Sequence, residues 1–221
     1  RKRQEKPSKI QTETLRLEAL QPYLEELAEE LFQRGRPLHQ SEVPAEIRDA
    51  LKLNRLPLKK AEQYCLDEML DPSDMEEAVE RRKNDLRVYL ALEAFSQRKA
   101  YRELPRRLQM DLKAFWGSYG NAHIDARNLL FSVGDTEKLR IACEQISEDG
   151  LGYILEGEQL QFHSSVMGKL PAILRCYIGC AGVLYGDLES ADLIKIHINT
   201  GKLTLQTFDN FLDPLPEIRR R

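Results

Sequence analysis

Apolar residues along the first forty positions fall into one helical stripe. Leu17, Leu20, Leu24, Leu27 and Leu31 recur at 3-4-3-4 spacing, the period of one helix face. Pro22 interrupts the stripe and predicts a helix start or kink there, and Gly35 predicts its end. Two heptads are too short for a coiled coil, so the stripe is expected to pack against a core. Short helices are predicted over 43–51 and 58–69. The cluster Asp71-Pro72-Ser73-Asp74, with Glu76 and Glu77 in the following turn, predicts a helix start, with the acids where the helix dipole favours them. That helix is expected to reach about Gln97. Leu86, Val88, Tyr89, Leu90, Leu92 and Phe95 make its second half apolar on more than one face, which predicts a central position. Further helices are predicted over 104–117, 121–133 and 136–146.

The pattern then changes. Tyr153 to Phe162 reads as a small hairpin around Gly157. Pro171 opens a stretch that is apolar up to Tyr185 and stops at Gly186, which predicts a buried helix. Ile194, Ile196 and Ile198 alternate with Lys195 and His197. Asn199-Thr200-Gly201 supplies a turn, and Leu203, Leu205 and Thr207 return. The expected fold is α+β and mostly α, a helical body followed by a buried helix flanked by two β-hairpins. Residues 1–11 read as a basic tail or linker, 12–147 as a helical region, and 148–221 as an α+β region packed on it in one compact unit.

Composition narrows the picture only a little. The chain has 221 residues and a formal net charge of -3, so as a whole it is no polycation. Its four cysteines form no Cys-x-x-Cys pair and read as free thiols of a reducing, cytoplasmic compartment. No run approaches the roughly 20 apolar residues of a membrane span. The first residue is Arg1, and the chain reads as a piece of a longer protein.

Charge is segregated locally. Residues 62–80 hold eight acids and no Lys or Arg, whereas 81–107 hold nine Lys/Arg against three acids. One reading is a set of solvated helix faces. The other is a phosphate-binding surface made by Arg81, Arg82, Lys83, Arg98, Lys99, Arg102, Arg106 and Arg107, with Tyr101 placed to stack on a base. A second cluster is Arg175, Asp192, Lys195, His197 and Asp209. Arg175 stands inside the apolar helix and needs a counter-charge or an anion, because an uncompensated buried charge is costly. Asp192 and Asp209 are the expected partners, with Glu189 also in reach, and such a pair would clamp the second hairpin onto the helix. Acid with lysine suggests a metal-dependent nuclease. On an alternating strand, however, Asp192 and Lys195 fall on opposite faces. Cys176 and Cys180, four apart on one helix, make a poor zinc motif and read as small hydrophobes. No glycine-rich dinucleotide loop, phosphate loop, nucleophile elbow or His-Glu-x-x-His motif is present. No catalytic or metal-binding residue is assigned.

Three blocks nevertheless resemble a known family. The first is Arg81-Arg82-Lys83-Asn84-Asp85-Leu86-Arg87-Val88-Tyr89-Leu90-Ala91-Leu92. The second joins Leu104-Pro105, Leu108-Gln109-Met110-Asp111, Phe115-Trp116-Gly117-Ser118-Tyr119 and Leu129-Leu130-Phe131. The third runs over 170–197, extended by Phe208-Asp209 and Asp213-Pro214-Leu215-Pro216. With Gly35-Arg36-Pro37 they cover most of 30–216. They resemble the C-terminal half of the bacterial DNA phosphorothioation-associated methyltransferases. The last motif departs from the family, carrying Leu215 where a histidine is expected between the prolines. The resemblance implies an accessory, non-Rossmann region that binds DNA or a protein partner in DNA modification, restriction-modification or phage defence. It places methyl transfer, and S-adenosylmethionine, in a region upstream of this chain. The alternatives are a protein-interaction scaffold without nucleic-acid contact and a divergent nuclease.

Overall fold

The computed structural model describes residues 16–17, 19–96, 99–186, 188, 190–213, 215 and 217–220. The chain groups into two compact units, residues 1–82 and 83–221. As expected, it is mostly helical, with one small antiparallel sheet after the helices. The turn from helices to strands near residue 150 and the division between units at 82/83 are separate boundaries.

In the first unit, α1 (Gln21–Arg34) buries Leu24, Leu27 and Leu31 of the predicted stripe, and Leu20 is buried just ahead of it. Gly35 takes the left-handed conformation at φ +61° and donates its N–H to the Leu31 carbonyl, so the helix stops where the sequence predicts. Helix α2 (Ala45–Leu53) and α3 (Leu58–Tyr64) close a core of leucines. The α3 spiral widens into a π-turn at Cys65–Met69, where the Leu70 N–H reaches the Cys65 carbonyl at 3.0 Å. The Cys65 thiol donates to the Leu24 carbonyl at 3.4 Å, and burial pushes its pKa up to about 12, so it packs as a hydrophobe.

Helix α4 (Pro72–Glu93) crosses the 82/83 boundary. It ends four residues before Gln97, because Ala94, Phe95 and Ser96 turn back onto the carbonyls of Ala91, Leu92 and Glu93 in three-residue steps. Its second half is less enclosed than its composition predicts. Leu86, Leu90 and Ala91 are buried, whereas Tyr89 and Phe95 are exposed.

The second unit continues with α5 (Arg106–Trp116), α6 (Tyr119–Ser132) and α7 (Thr136–Glu148). Ser118 caps α6 by accepting the Asn121 N–H, and Asp135 caps α7 by accepting that of Lys138. Next come β1 (Tyr153–Leu155), β2 (Gln159–His163), α8 (Ala172–Tyr185), β3 (Leu193–His197), β4 (Lys202–Phe208) and β5 (Ile218–Arg220). The two predicted hairpins are halves of one sheet of order β1-β2-β3-β4-β5. Strand β2 pairs with β3 in antiparallel register, Leu160 opposite Ile196, so the connection through α8 returns the chain to the same sheet. One face carries Leu160, Phe162, Ile194 and Ile196 against Leu139, Cys143 and Ile146 of α7 and Leu174 and Ile178 of α8. The pleat turns Gln159, Gln161, His163, Lys195, His197 and Thr204 to the other face. A second apolar cluster, Leu90, Leu104, Leu112, Ala122, Ala126 and Cys176, joins α4, α5, α6 and α8.

Candidate nucleic-acid interface

The eight basic candidates are divided between the two units. Arg81 and Arg82 belong to the first unit, where the Arg81 guanidinium lies over the Phe32 ring at 5.6 Å. Lys83 sits close enough to Asp125 to help lower its pKa. Arg98 lies outside the described residues. Lys99, Arg102, Arg106 and Arg107 are the coherent remainder. Lys99 precedes a 3-10 turn (Tyr101–Glu103) that contains Arg102, and Arg106 and Arg107 open α5; all four are exposed, and none has an ion-pair partner among the described residues.

Local chemistry fixes this corner. Ala100 N–H donates to the Glu103 carboxylate at 3.0 Å, which holds the 3-10 turn. Tyr101 Oη donates to the Gln109 carbonyl at 2.9 Å, and Gln109 Nε2 to the Leu104 carbonyl at 2.8 Å. Pro105 stands at the N-cap of α5 with no side-chain cap, and no acid occupies the first turn. The helix therefore presents free N–H groups and a positive dipole end beside Arg106 and Arg107. Tyr101, Leu104, Arg106, Gln109, Met110 and Lys113 line a shallow cleft of about 430 Å³. Lys113 is absent from the sequence-based candidates. Its signal was the helical period, since 106, 109/110 and 113 share one face of α5.

The second cluster does not assemble as expected. Arg175 Nη1 pairs with Asp85 Oδ1 of α4 at 2.5 Å, not with Asp192 or Asp209, and so ties α8 to α4 rather than to the hairpin. Glu189 lies outside the described residues. Helix periodicity gave no way to foresee a partner 90 residues upstream. Asp192 instead fastens strand ends. Its Oδ2 accepts the Phe208 N–H at 2.8 Å, its N–H donates to the Gln206 carbonyl and its carbonyl accepts the Ser164 N–H. Asp209 faces Arg219 at 3.8 Å on the surface. Lys195 and His197 share the polar face of β3, where one ring nitrogen of His197 and the Thr204 hydroxyl are 3.1 Å apart.

Asp125 anchors the helices behind the basic corner. Its Oδ2 accepts from Arg87 Nε at 2.6 Å and from Trp116 Nε1 at 2.8 Å. Burial pushes the Asp125 pKa up, but those two donors and the charge of Lys83 outweigh it and leave it below the usual value. Cys176 and Cys180 interact with each other. The hydrogen bond between them and burial raise the Cys176 pKa, while the same bond lowers that of Cys180. Among the described residues, no group of three His, Cys, Asp or Glu side chains could hold a metal ion. None of the described helices is long and apolar enough to cross a membrane.

The sheet of the described residues is antiparallel throughout, and Gly179-Cys180-Ala181-Gly182 is interior to α8. A Cβ on Gly179 would come within 2.5 Å of Leu92, and one on Gly182 within 2.5 Å of Leu188, so both glycines serve packing. Compared with known proteins, the chain matches no family model, no curated protein and no solved structure.

Proposed function

We propose that this chain is a DNA-binding accessory region of a bacterial DNA-modification system, acting in a phosphorothioation or phage-defence setting, with methyl transfer carried out elsewhere. The observation that carries this reading is the corner of Lys99, Arg102, Arg106 and Arg107, exposed and without ion-pair partners around the uncapped start of α5. Structural arginines elsewhere in the chain hold carboxylates, as Arg36, Arg87 and Arg175 do. Free guanidinium groups beside helix N–H donors suit phosphate oxygens. Lys113 lengthens the basic track along α5, and Tyr101 adds an aromatic edge. The resemblance of the three sequence blocks supports the same setting.

Fluorescence anisotropy with a labelled duplex tests it. Binding is expected at low salt and should weaken steeply as salt rises, because each phosphate contact releases counterions. Charge reversal, Arg102→Glu with Arg106→Glu, should abolish binding and leave the thermal unfolding curve in place. Absent binding at low salt, or binding indifferent to the reversal, overturns the reading. One observation favours the scaffold alternative. A largely apolar groove of about 500 Å³ runs between Tyr177 and Leu184 of α8, Val133, and Leu203 and Leu205 of β4. Leu184 is 64% exposed there, a surface suited to a protein partner.

A further inference from the structure

Behind the basic corner lies a second, smaller cleft of about 310 Å³, where the end of α4 meets α6. Leu90 and Leu130 are apolar lining, Phe131 stands at the side 73% exposed, and Glu93, His123 and Arg127 supply the polar groups. The state of Glu93 is unusual. Its Oε1 receives the Tyr89 hydroxyl at a long 3.4 Å. Its Oε2 is out of contact with water and has no hydrogen-bond donor. A carboxylate can only accept, so an oxygen buried without a donor is in a costly state. Glu93 is among the residues that line the cleft, and the terminal torsion of a glutamate is soft. Arg127 is exposed on the same cleft and can only donate. A fitting ligand therefore offers donors toward Glu93, acceptors toward Arg127, and a flat apolar body between them.

The cleft is at the lower end of the size range for small-molecule sites, which suits one heterocycle rather than a chain. Among the bases, guanine has a ring N–H beside an exocyclic amino group on one edge and two acceptors, O6 and N7, on another. Adenine and cytosine set an acceptor beside their amino group, and thymine has a single ring N–H between carbonyls. Contacts lead from the corner to this cleft. Tyr119 Oη donates to the Lys99 carbonyl at 3.0 Å, the Tyr101 and Tyr119 rings are 5.6 Å apart, and the His123 ring meets Tyr119 edge-on at 4.4 Å.

We infer that this cleft receives a guanine base taken out of the stack, while the phosphates of the same strand lie on Lys99, Arg102 and Arg106. The inference rests on the DNA-binding reading above and adds to it a base-reading site. Glu93 accepts the two donors of the guanine edge, Arg127 meets O6 and N7, and Leu90, Leu130 and Phe131 enclose the ring. Sequence patterning did not single out Glu93 or Arg127, because an isolated acid at a helix end and an isolated arginine on a polar face are ordinary.

Anisotropy on the whole chain tests it with three labelled single strands: a thymine homopolymer, the same strand with one central guanine, and the same strand with hypoxanthine in that place, which lacks the exocyclic amino group. The guanine strand should bind about tenfold more tightly than the homopolymer. Hypoxanthine should lose most of that gain. Glu93→Gln should remove the guanine preference. The hypoxanthine strand needs no variant, so the test stands even if Glu93→Gln fails to fold. Homopolymer binding without a guanine preference, or a preference that survives both changes, overturns this inference and spares the DNA-binding reading. No binding of any strand overturns both.

Discussion

Glu42 in the first unit and Glu93 in the second are both partly or wholly buried carboxylates near helix ends, and their surroundings differ completely. Arg36 grips both oxygens of Glu42 at 2.8 Å, Arg34 adds a contact at 3.0 Å, and the His39 N–H donates at 2.9 Å. The neighbouring Glu62 is buried too, and it accepts the Leu38 N–H at 2.7 Å. In the second unit the buried polar atoms without a hydrogen-bond partner include Glu93 Oε2, Gln161 Nε2, Arg175 Nε and Tyr177 Oη. Among the described residues, the first unit has none of this kind. Native proteins satisfy their buried polar groups, and exceptions concentrate where something else must bind or move. The difference teaches where to look. In the first unit Arg34 and Arg36 fix a loop through Glu42, whereas several buried polar atoms of the second unit have no protein partner.

The sharpest way to break that contrast is at Arg36. Its side chain is 4% exposed and that of Glu42 7%. Removing Arg36 strips Glu42 of its forked partner and leaves it only the Arg34 contact and the His39 N–H, at a cost toward the lower end of about 3–5 kcal/mol. Arg36→Ala should lower the unfolding free energy of the first unit, read from its urea curve, by that amount, and Arg36→Lys should recover only part, since lysine cannot fork to a carboxylate. Acid sharpens the test. The Arg36 hydrogen bonds, against the opposing effect of burial, hold Glu42 down to about 2 from 4.5. Because the folded value is the lower one, Glu42 contributes its full stability above the unfolded value and loses it as pH falls from about 4.5 toward 2. Glu42→Gln should flatten the acid unfolding curve in that window. An alanine variant that unfolds like the parent would remove the distinction between the two units.

Local patterning made most of the helices legible. The leucine stripe, the Gly35 stop and the Pro171 start follow from spacing and from backbone constraints that act within a few residues. So does the alternation that puts Lys195 and His197 on one strand face. What the sequence hid is non-local. Nothing within either hairpin says that β2 pairs with β3, because register between distant strands is set by the shared face against α7 and α8. Strand β5 is only three residues long and carries two arginines, too short and polar for alternation to show. The Asp85–Arg175 pair likewise depends on how α4 and α8 pack. Of the candidate interface, the density of Lys and Arg was legible. Their division between two units, and the Glu93 cleft, were not.

Arg175 offers a gentler test, because its pair is only partly enclosed. The Arg175 side chain is 17% exposed, but Asp85 is 44% exposed and keeps much of its hydration. A hydrogen bond between charged groups is worth about 1.5–3 kcal/mol, and exposure of Asp85 brings this pair to the lower end. Arg175→Ala should cost about 2 kcal/mol in the second unit, less than Arg36→Ala costs in the first. Asp85→Ala should cost less than that. A double-mutant cycle measures the pair itself. If the cycle returns no coupling, Arg175 is held by packing of its stem and the ion pair is incidental.

Gly179 probes the second unit by volume rather than charge and should give the smallest effect. It lies inside α8, where alanine would favour the helix by about 0.5–1 kcal/mol. Its missing Cβ, however, is the space into which Leu92 of α4 fits, 2.5 Å from Cδ1 and 3.2 Å from Cγ. Overpacking of this kind typically costs about 1–3 kcal/mol, so the helix gain offsets only part of it and leaves Gly179→Ala about 1 kcal/mol less stable. Gly35 in the first unit is different in kind, since a Cβ there would lie 3.0 Å from the Val79 Cα, a backbone atom that cannot swing aside, at a φ of +61°. Leu92 can move. Leu92→Val should therefore rescue Gly179→Ala in a thermal melt, because the shorter side chain vacates the contested space. If Gly179→Ala alone raises the melting temperature, α8 and α4 have slack between them, and the second unit is looser at its helix contacts as well as in its polar groups.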